Sequence, residues 1–430
     1  MGPCAITVPR VVWTIAFSIL LALMPRPAQG SGERILHAFK GGTDGYTPEL
    51  GTLTFDKFGN LYGATQSGGT STLCYLGCGT IFRLRRTNTG WSENVIYSFG
   101  GGADGSLPNG DLAIDSAGTF YGTTFSGGDH NYGTVFELKR SASGWSKSIL
   151  HSFASGSDGV WPLGGVIVDG GGDLYGTTLA GGGGAKDGGI IFELSPSSGG
   201  WVYSVLHVFG NGTDGINPLS RLTRDASGNL FGTTALGGTG GSYCGSNGCG
   251  VAFEMTLGAG NVWSESVIYN FGSSITDAAE PHAALALDSA GTLFGTTVSG
   301  GPCIAFCGTV FELSPAGGGV WNEKVIFSFL TTAQPYGGLA MDSGGSLYGT
   351  TVYGGGQGNC KVYGVNWYCG TIYKLSQTEG VWTETLLHSF SNPCGTLPFG
   401  TVILDAAGKI YGTTPEGGSY GGGLVYQFNP

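Results

Sequence analysis

The sequence predicts an all-β protein: a seven-bladed β-propeller of four-stranded antiparallel blades. Three observations predict it. An aromatic residue followed by Gly-Thr-Thr recurs at Tyr121, Tyr175, Phe231, Phe294, Tyr348 and Tyr411, with Tyr62-Gly63-Ala64-Thr65 as a seventh copy. The interval of about 54 to 63 residues is near the length of blade repeats and far from that of short solenoids. Each full interval holds four strand-like runs, and one lone run at the N-terminus matches one missing run at the C-terminus.

The second unit shows the four runs: Leu112-Ala113-Ile114-Asp115 (a), Thr119 to Thr124 (b), Gly133 to Leu138 (c) and Trp145 to Phe153 (d). Each is alternating, β-branched or aromatic, and is bounded by Gly, Ser or Asp, as strands are. The a–b turn reads Asp-x-x-Gly in every unit: Asp56/Gly59, Asp115/Gly118, Asp169/Gly172, Asp225/Gly228, Asp288/Gly291, Asp342/Gly345 and Asp405/Gly408. Asp caps the turn's own N–H groups and Gly takes the left-handed conformation that closes it. Seven aspartates in register could suggest metal ligands, but identical turns account for them, and no metal or other cofactor is expected. Strand d opens with Trp and ends with Phe eight residues later, from Trp91/Phe99 to Trp382/Phe390. That even spacing places both rings on one face, expected to pack on the next sheet.

The lone first run, Arg34 to Phe39, is d-type, and the last, Gly423 to Phe428, is c-type. Twenty-eight strands then make seven blades of four if the N-terminal run completes the last blade. Closure removes the free edges that a long β array would expose. A β-solenoid is the alternative, but it would not need an orphan first strand to match a missing last one.

The unit Asp-x-x-Gly-x-Leu-Tyr-Gly-Thr-Thr…Gly-Gly…Gly-Thr-Val-Phe-Glu-Leu, here approximated from Asp115 to Leu138, resembles that of the GloVer-repeat proteins of bacteria. The resemblance covers essentially all of residues 31–430 and implies export, often with a surface anchor, and no particular reaction. This chain ends at Pro430 directly after a strand, so a freely secreted or periplasmic protein is expected.

Residues 1–30 read as a secretory signal, with Arg10, an apolar run from Val11 to Met24 and small residues at Ala28 and Gly30; residues 31–430 are then one propeller domain. The apolar run is shorter than the roughly twenty residues of a membrane-spanning helix, though a retained signal anchor is the alternative. No membrane span is expected in the mature chain. Removing the signal removes Arg10 and Arg26 and no acid, taking the net charge from −11 to −13, which argues against nucleic acid as a partner. The expected state is a monomer, and the expected partner an extracellular glycan or cell-envelope component.

The a–b turns are short and uniform, whereas the b–c loops run from about eight residues after Thr124 to about eighteen after Thr351. Rigid scaffolds present function on variable loops, so the face carrying b–c loops and d–a crossovers is the candidate working surface. Four close cysteine pairs lie in those loops and read as disulfides in an exported protein: Cys74/Cys78, Cys244/Cys249, Cys303/Cys307 and Cys360/Cys369. Cys394 has no local partner. The crossovers carry Asp-Gly-x-x-Pro at Asp44, Asp104, Asp158 and Asp214, read as turn chemistry; calcium would need more oxygens than one Asp per blade supplies.

Function is expected where the period fails. His37, His151, His207 and His388 occupy a strand-d position filled elsewhere by Tyr97, Tyr269 and Phe327, and read as packing residues; His282 lies outside that pattern. After each crossover proline one position varies freely, giving Glu49, Asn109, Leu163, Leu219, His282, Tyr336 and Phe399, a ring expected to border the mouth of the central channel, with Trp161 beside it. Mixed aromatic and polar groups at a concave mouth suit a sugar or small polymer, although they could simply fill the channel. Arg224 stands where other a strands carry an apolar residue, so it pairs with a channel acid or offers an anion site. Trp367, in the long sixth-blade loop, is a further candidate contact. These residues lead to a secreted binding or interaction propeller. The rival is a propeller lyase or hydrolase at the channel mouth, with Glu49, Glu280, His282 and Arg224 as acid, base and anion-stabilising groups.

Overall fold

The computed structural model describes residues 32–430 apart from 49–50, 241, 303–306, 331–332, 355–359, 363–364, 368 and 392–394, with the backbone alone described at 242–243, 360–362 and 365–367. The proposed signal therefore lies outside the described residues. Seven four-stranded antiparallel sheets form a ring. Blade 2, for example, consists of Ala113–Ile114 (a), Phe120–Ser126 (b), Thr134–Ser141 (c) and Gly144–Ser152 (d). The N-terminal strand Gly32–Ala38 pairs antiparallel with Leu424–Asn429, matching Glu33 to Phe428 and Ala38 to Leu424, so the first strand is the fourth of blade 7. Among the described residues no helix is long and apolar enough to cross a membrane.

The repeated words of the sequence now have separate jobs. In Tyr-Gly-Thr-Thr the Tyr hydroxyl donates to the a–b turn aspartate, as in Tyr411 to Asp405 at 2.9 Å and Tyr348 to Asp342 at 3.0 Å. The Gly makes room for the strand-c aromatic: a Cβ on Gly122 would lie 2.7 Å from Phe136 Cζ and 3.0 Å from Leu112 Cδ2. The first Thr reaches the crossover that leads into the inner strand of the next blade, as Thr296 Oγ1 does in donating to Gly337 O at 2.9 Å. The second meets a strand-c Thr, as Thr124 does Thr134 at 2.8 Å. The turn aspartates accept their own loop's N–H groups, as Asp56 does from Phe58 and Asn60, both at 2.9 Å. Local hydrogen bonding thus explains them.

The core is distributed over the seams between blades. One cluster joins Tyr62, Ile81 and Phe99 of blade 1 to Leu112, Phe120 and Phe136 of blade 2. The expectation that the strand-d Trp and Phe share a face is overturned. Every strand d carries a β-bulge against strand c, as where Tyr97 pairs with Ile81 but Val95 with Phe82. One extra residue reverses the parity of all that follows. Trp145 therefore packs on Tyr62 of the preceding blade (centroids 6.3 Å apart), while Phe153 meets Phe192 of the next (5.4 Å). Each strand d is a double-sided wedge. The closing strand behaves alike, with Phe39 edge-on to Phe82 at 5.1 Å.

At the outer edge of five of the seven seams lies a polar cluster: the strand-d His or Tyr of one blade, the crossover Asp, and the residue two after Trp in the next blade. Blades 7 and 1 contribute His37, Asp44 and Glu93; blades 1 and 2 Tyr97, Asp104 and Lys147; blades 2 and 3 His151, Asp158 and Tyr203. Blades 3 and 4 add His207, Asp214 and Glu265, and blades 4 and 5 Tyr269, Asp277 and Glu323. The crossover aspartates are therefore seam clamps as well as turn residues. Burial, and after it the adjacent aspartate, raises the carboxyls of Glu93, Glu265 and Glu323 to about 7.

Candidate functional site at the channel mouth

The crossover strands run antiparallel to the ends of strand b before turning into strand a, as where Pro108 pairs with Thr124 and Pro281 with Thr297. The residue before the crossover proline has φ between 49° and 61° in every blade: Thr47, Leu107, Trp161, Asn217, Glu280, Gln334 and Leu397. This left-handed conformation favours Gly, yet none of these positions is Gly in a chain that has 85 glycines. Paired backbone bonds hold it. Trp161 N donates to Tyr132 O of the preceding blade at 2.9 Å, and its carbonyl accepts from Leu179 N at 3.0 Å. No residue type in the sequence announced this geometry.

The kink aims the residue after proline inward. Asn109, Leu163, Leu219, His282, Tyr336 and Phe399 all line one cavity of 390 Å³, together with Asp111, Arg221 and small residues beside the ring positions. Glu49, and Leu50 beside it, lie outside the described residues. The wall is asymmetric. Blades 5 to 7 supply an aromatic arc in which His282 meets Tyr336 edge-on at 5.3 Å and Tyr336 meets Phe399 at 5.4 Å. Burial alone lowers the His282 imidazole to about 4, so it is neutral at pH 7. Blades 2 to 4 supply Asn109, the two leucines and an ion pair, Arg221 Nε to Asp111 Oδ2 at 3.4 Å. Asp111 Oδ1 also accepts from Thr52 N at 2.6 Å. Asn109 is 7% exposed, and its amide makes no hydrogen bond with the described residues.

The remaining sequence candidates do not join this wall. Arg224 sits at the other end of strand a, where Nη2 lies 3.5 Å from Asp169 Oδ2, the turn aspartate of the preceding blade. Its partner is a turn acid, so a channel pairing is not what the structure gives. Trp161 stacks on Phe125 at the end of the neighbouring blade's strand b, ring centroids 5.9 Å apart and planes 15° apart, and does not line the cavity. Glu280 Oε2 accepts from Ser299 Oγ at 2.7 Å, and Glu280 lies near enough to Tyr336 to help raise its hydroxyl, after burial and Tyr353. Trp367 belongs to a small hairpin, Cys360–Val362 with Val365–Trp367, and its side chain lies outside the described residues. Asp111, and with it the role of Arg221, was missed because the two interrupt different blades and become partners only around the ring.

Disulfides join Cys74 to Cys78 and Cys244 to Cys249. Cys307 and Cys369 are disulfide-bonded too; the expected pairings with Cys303 and Cys360, and the state of Cys394, lie outside the described residues. Two other cavities, of 520 and 460 Å³, occupy the blade 7/1 seam beside Asp44 and Glu93, and the opposite face between the turns of blades 1 and 2. His37, Asp44 and Glu93 bring three ligand-type atoms within 4.8 Å of one another, but the hydrogen bonds of the seam already employ His37 and Asp44.

The fold and its off-period mouth define a β-propeller with a variable central cavity on a uniform scaffold. The Gloeobacter/Verrucomicrobia repeat matches residues 26–243 and 74–302, more than half of the chain, and the protein belongs to that family. No curated protein matches it. Among solved structures, a protein from Lactobacillus plantarum is similar with a TM-score of 0.50 and 13% identity, over 80% of this chain and 87% of that one. A gluconolactonase from Xanthomonas campestris has a TM-score of 0.41 and 12% identity, over 75% of this chain and 85% of that one. The likeness to the Lactobacillus protein supports the fold alone.

Proposed function

We propose that this is an exported binding propeller that takes its ligand, an extracellular carbohydrate or envelope component, into the cavity at the loop-face end of the channel. The observation that carries the reading is the convergence on one cavity of six off-period residues from six blades. Convergent polar groups in an apolar concavity are the ordinary makings of a ligand site. Export is supported by the disulfides, which persist in oxidising compartments. The rival, a lyase or hydrolase, would need His282 beside an acid or nucleophile, and no such partner is within hydrogen-bond reach among the described residues.

A glycan array and an envelope-fraction pull-down with the secreted chain test this. Binding that Tyr336→Ala abolishes and Arg224→Ala preserves is the expected result. Binding indifferent to Tyr336 would move the site elsewhere, and turnover of a bound glycan would favour the enzyme.

A further inference from the structure

Resting on the cavity reading above, we infer that the channel mouth is built for one uncharged, hydroxyl-rich ring, a neutral pyranose unit at the end of a glycan or free in solution, and selects against acidic sugars. Four observations carry this. The volume, 390 Å³, is at the lower end of the roughly 300–1,000 Å³ of small-molecule sites, which suits a single sugar unit or a short terminus. Among the described residues the two charged side chains that line it, Asp111 and Arg221, neutralise each other at 3.4 Å. A carboxylate ligand would have to break that pair or enter beside Asp111, and either is unfavourable in a partly desolvated site.

The third observation is Asn109, more than nine-tenths buried, with an amide that both donates and accepts yet makes no hydrogen bond with the described residues. That amide opens to the cavity, where a ligand's hydroxyls can take the place of water. A vicinal diol does so, one hydroxyl donating to Oδ1 and the other accepting from Nδ2. The fourth is the arc of His282, Tyr336 and Phe399 opposite, which presents an aromatic wall to the C–H face of a pyranose. The neutral imidazole of His282 adds a donor and an acceptor without adding charge.

The test is calorimetric titration of the full secreted chain with the methyl glycosides of glucose, galactose, mannose and N-acetylglucosamine, alongside glucuronate and galacturonate. The expected result is saturable binding of at least one neutral glycoside, with the matching uronate at least tenfold weaker. Asn109→Ala and Tyr336→Ala should each weaken the neutral ligand about tenfold or more, and Arg224→Ala should leave it unchanged. Asn109→Asp keeps the side chain's shape while adding a charge and removing the donor. It should abolish binding even if Asn109→Ala does not fold.

A uronate that binds as tightly as its neutral counterpart, or the failure of every neutral glycoside, overturns the inference. The two readings fail separately. An acidic or non-sugar ligand that still requires Tyr336 removes the neutral-pyranose assignment and keeps the cavity. A ligand indifferent to both Asn109 and Tyr336 removes the cavity as well.

Discussion

The outer edge of the ring and the mouth of its channel treat departures from the repeat in opposite ways. At the edge, in the seams that Lys147 and Tyr203 enter, a change in one member of the cluster comes with a matching neighbour. Where blade 2 has Lys147 in place of Glu, its ammonium bonds Asp104 Oδ1 at 2.8 Å with the side chain 2% exposed. Where blade 3 has Tyr203, its ring stacks on His151 at 3.9 Å and its hydroxyl donates to Asp158 O at 2.8 Å. Among the described residues of the mouth only Asp111 and Arg221 compensate each other; Asn109, His282, Tyr336 and Phe399 line the cavity. A seam is closed on both sides and keeps even its unbonded oxygens, on Glu93, Glu265 and Glu323, away from solvent, whereas the mouth has one side open and can offer its groups to a ligand. Variation enclosed in a seam belongs to the scaffold, and variation that faces the open cavity is the candidate for the site.

Substitutions on the two sides of this divide should separate stability from binding. The largest loss of stability is expected for Phe39→Ala, which removes a fully buried ring from the closing seam and should cost about 3–4 kcal/mol in chemical denaturation. A loss below about 1 kcal/mol would mean that the closing strand is not held by that seam. Next comes Lys147→Ala, which strands a partly exposed Asp104 and uncovers Tyr97, Phe99 and Phe136; about 2 kcal/mol is expected.

A smaller effect with a definite pH signature attaches to Glu265 and Glu323. Their folded carboxyls are raised to about 7, so the folded state holds protons that the unfolded chain releases near 4.5. Their contribution is therefore full below about 4.5 and is lost as pH rises through about 7. Melting temperature should fall between pH 5 and pH 8, and the Glu265→Gln, Glu323→Gln double variant should flatten that slope and melt higher than the parent at pH 8. An unchanged slope would show that these carboxyls are already ionised.

The smallest effect on stability is expected at the mouth. His282→Gln should stay within about 0.5 kcal/mol at pH 7 while weakening the ligand. Because burial lowers the imidazole to about 4, its contribution is present above about 6.5 and is lost as pH falls toward 4, so the parent should lose more stability there than the variant. A large loss at pH 7 would place His282 with the scaffold.

Much of the channel mouth was legible because it is periodic by position even where it is aperiodic by chemistry: one residue after each crossover proline names Asn109, Leu163, Leu219, His282, Tyr336 and Phe399. The faces of strand d were not, because a bulge changes parity without marking the sequence. Arg224 was recognisable as an anomaly but not as the partner of Asp169, since the residue that answers it belongs to another blade's turn.

The sequence alone determined the number of blades, the turns and the closing strand, because those follow from short-range patterns repeated at a fixed interval. Tertiary structure decided what each irregular residue does. Whether a charge is matched, a ring wedged into a seam or an amide left unanswered depends on which blades the circle sets side by side, and no local pattern carries that information.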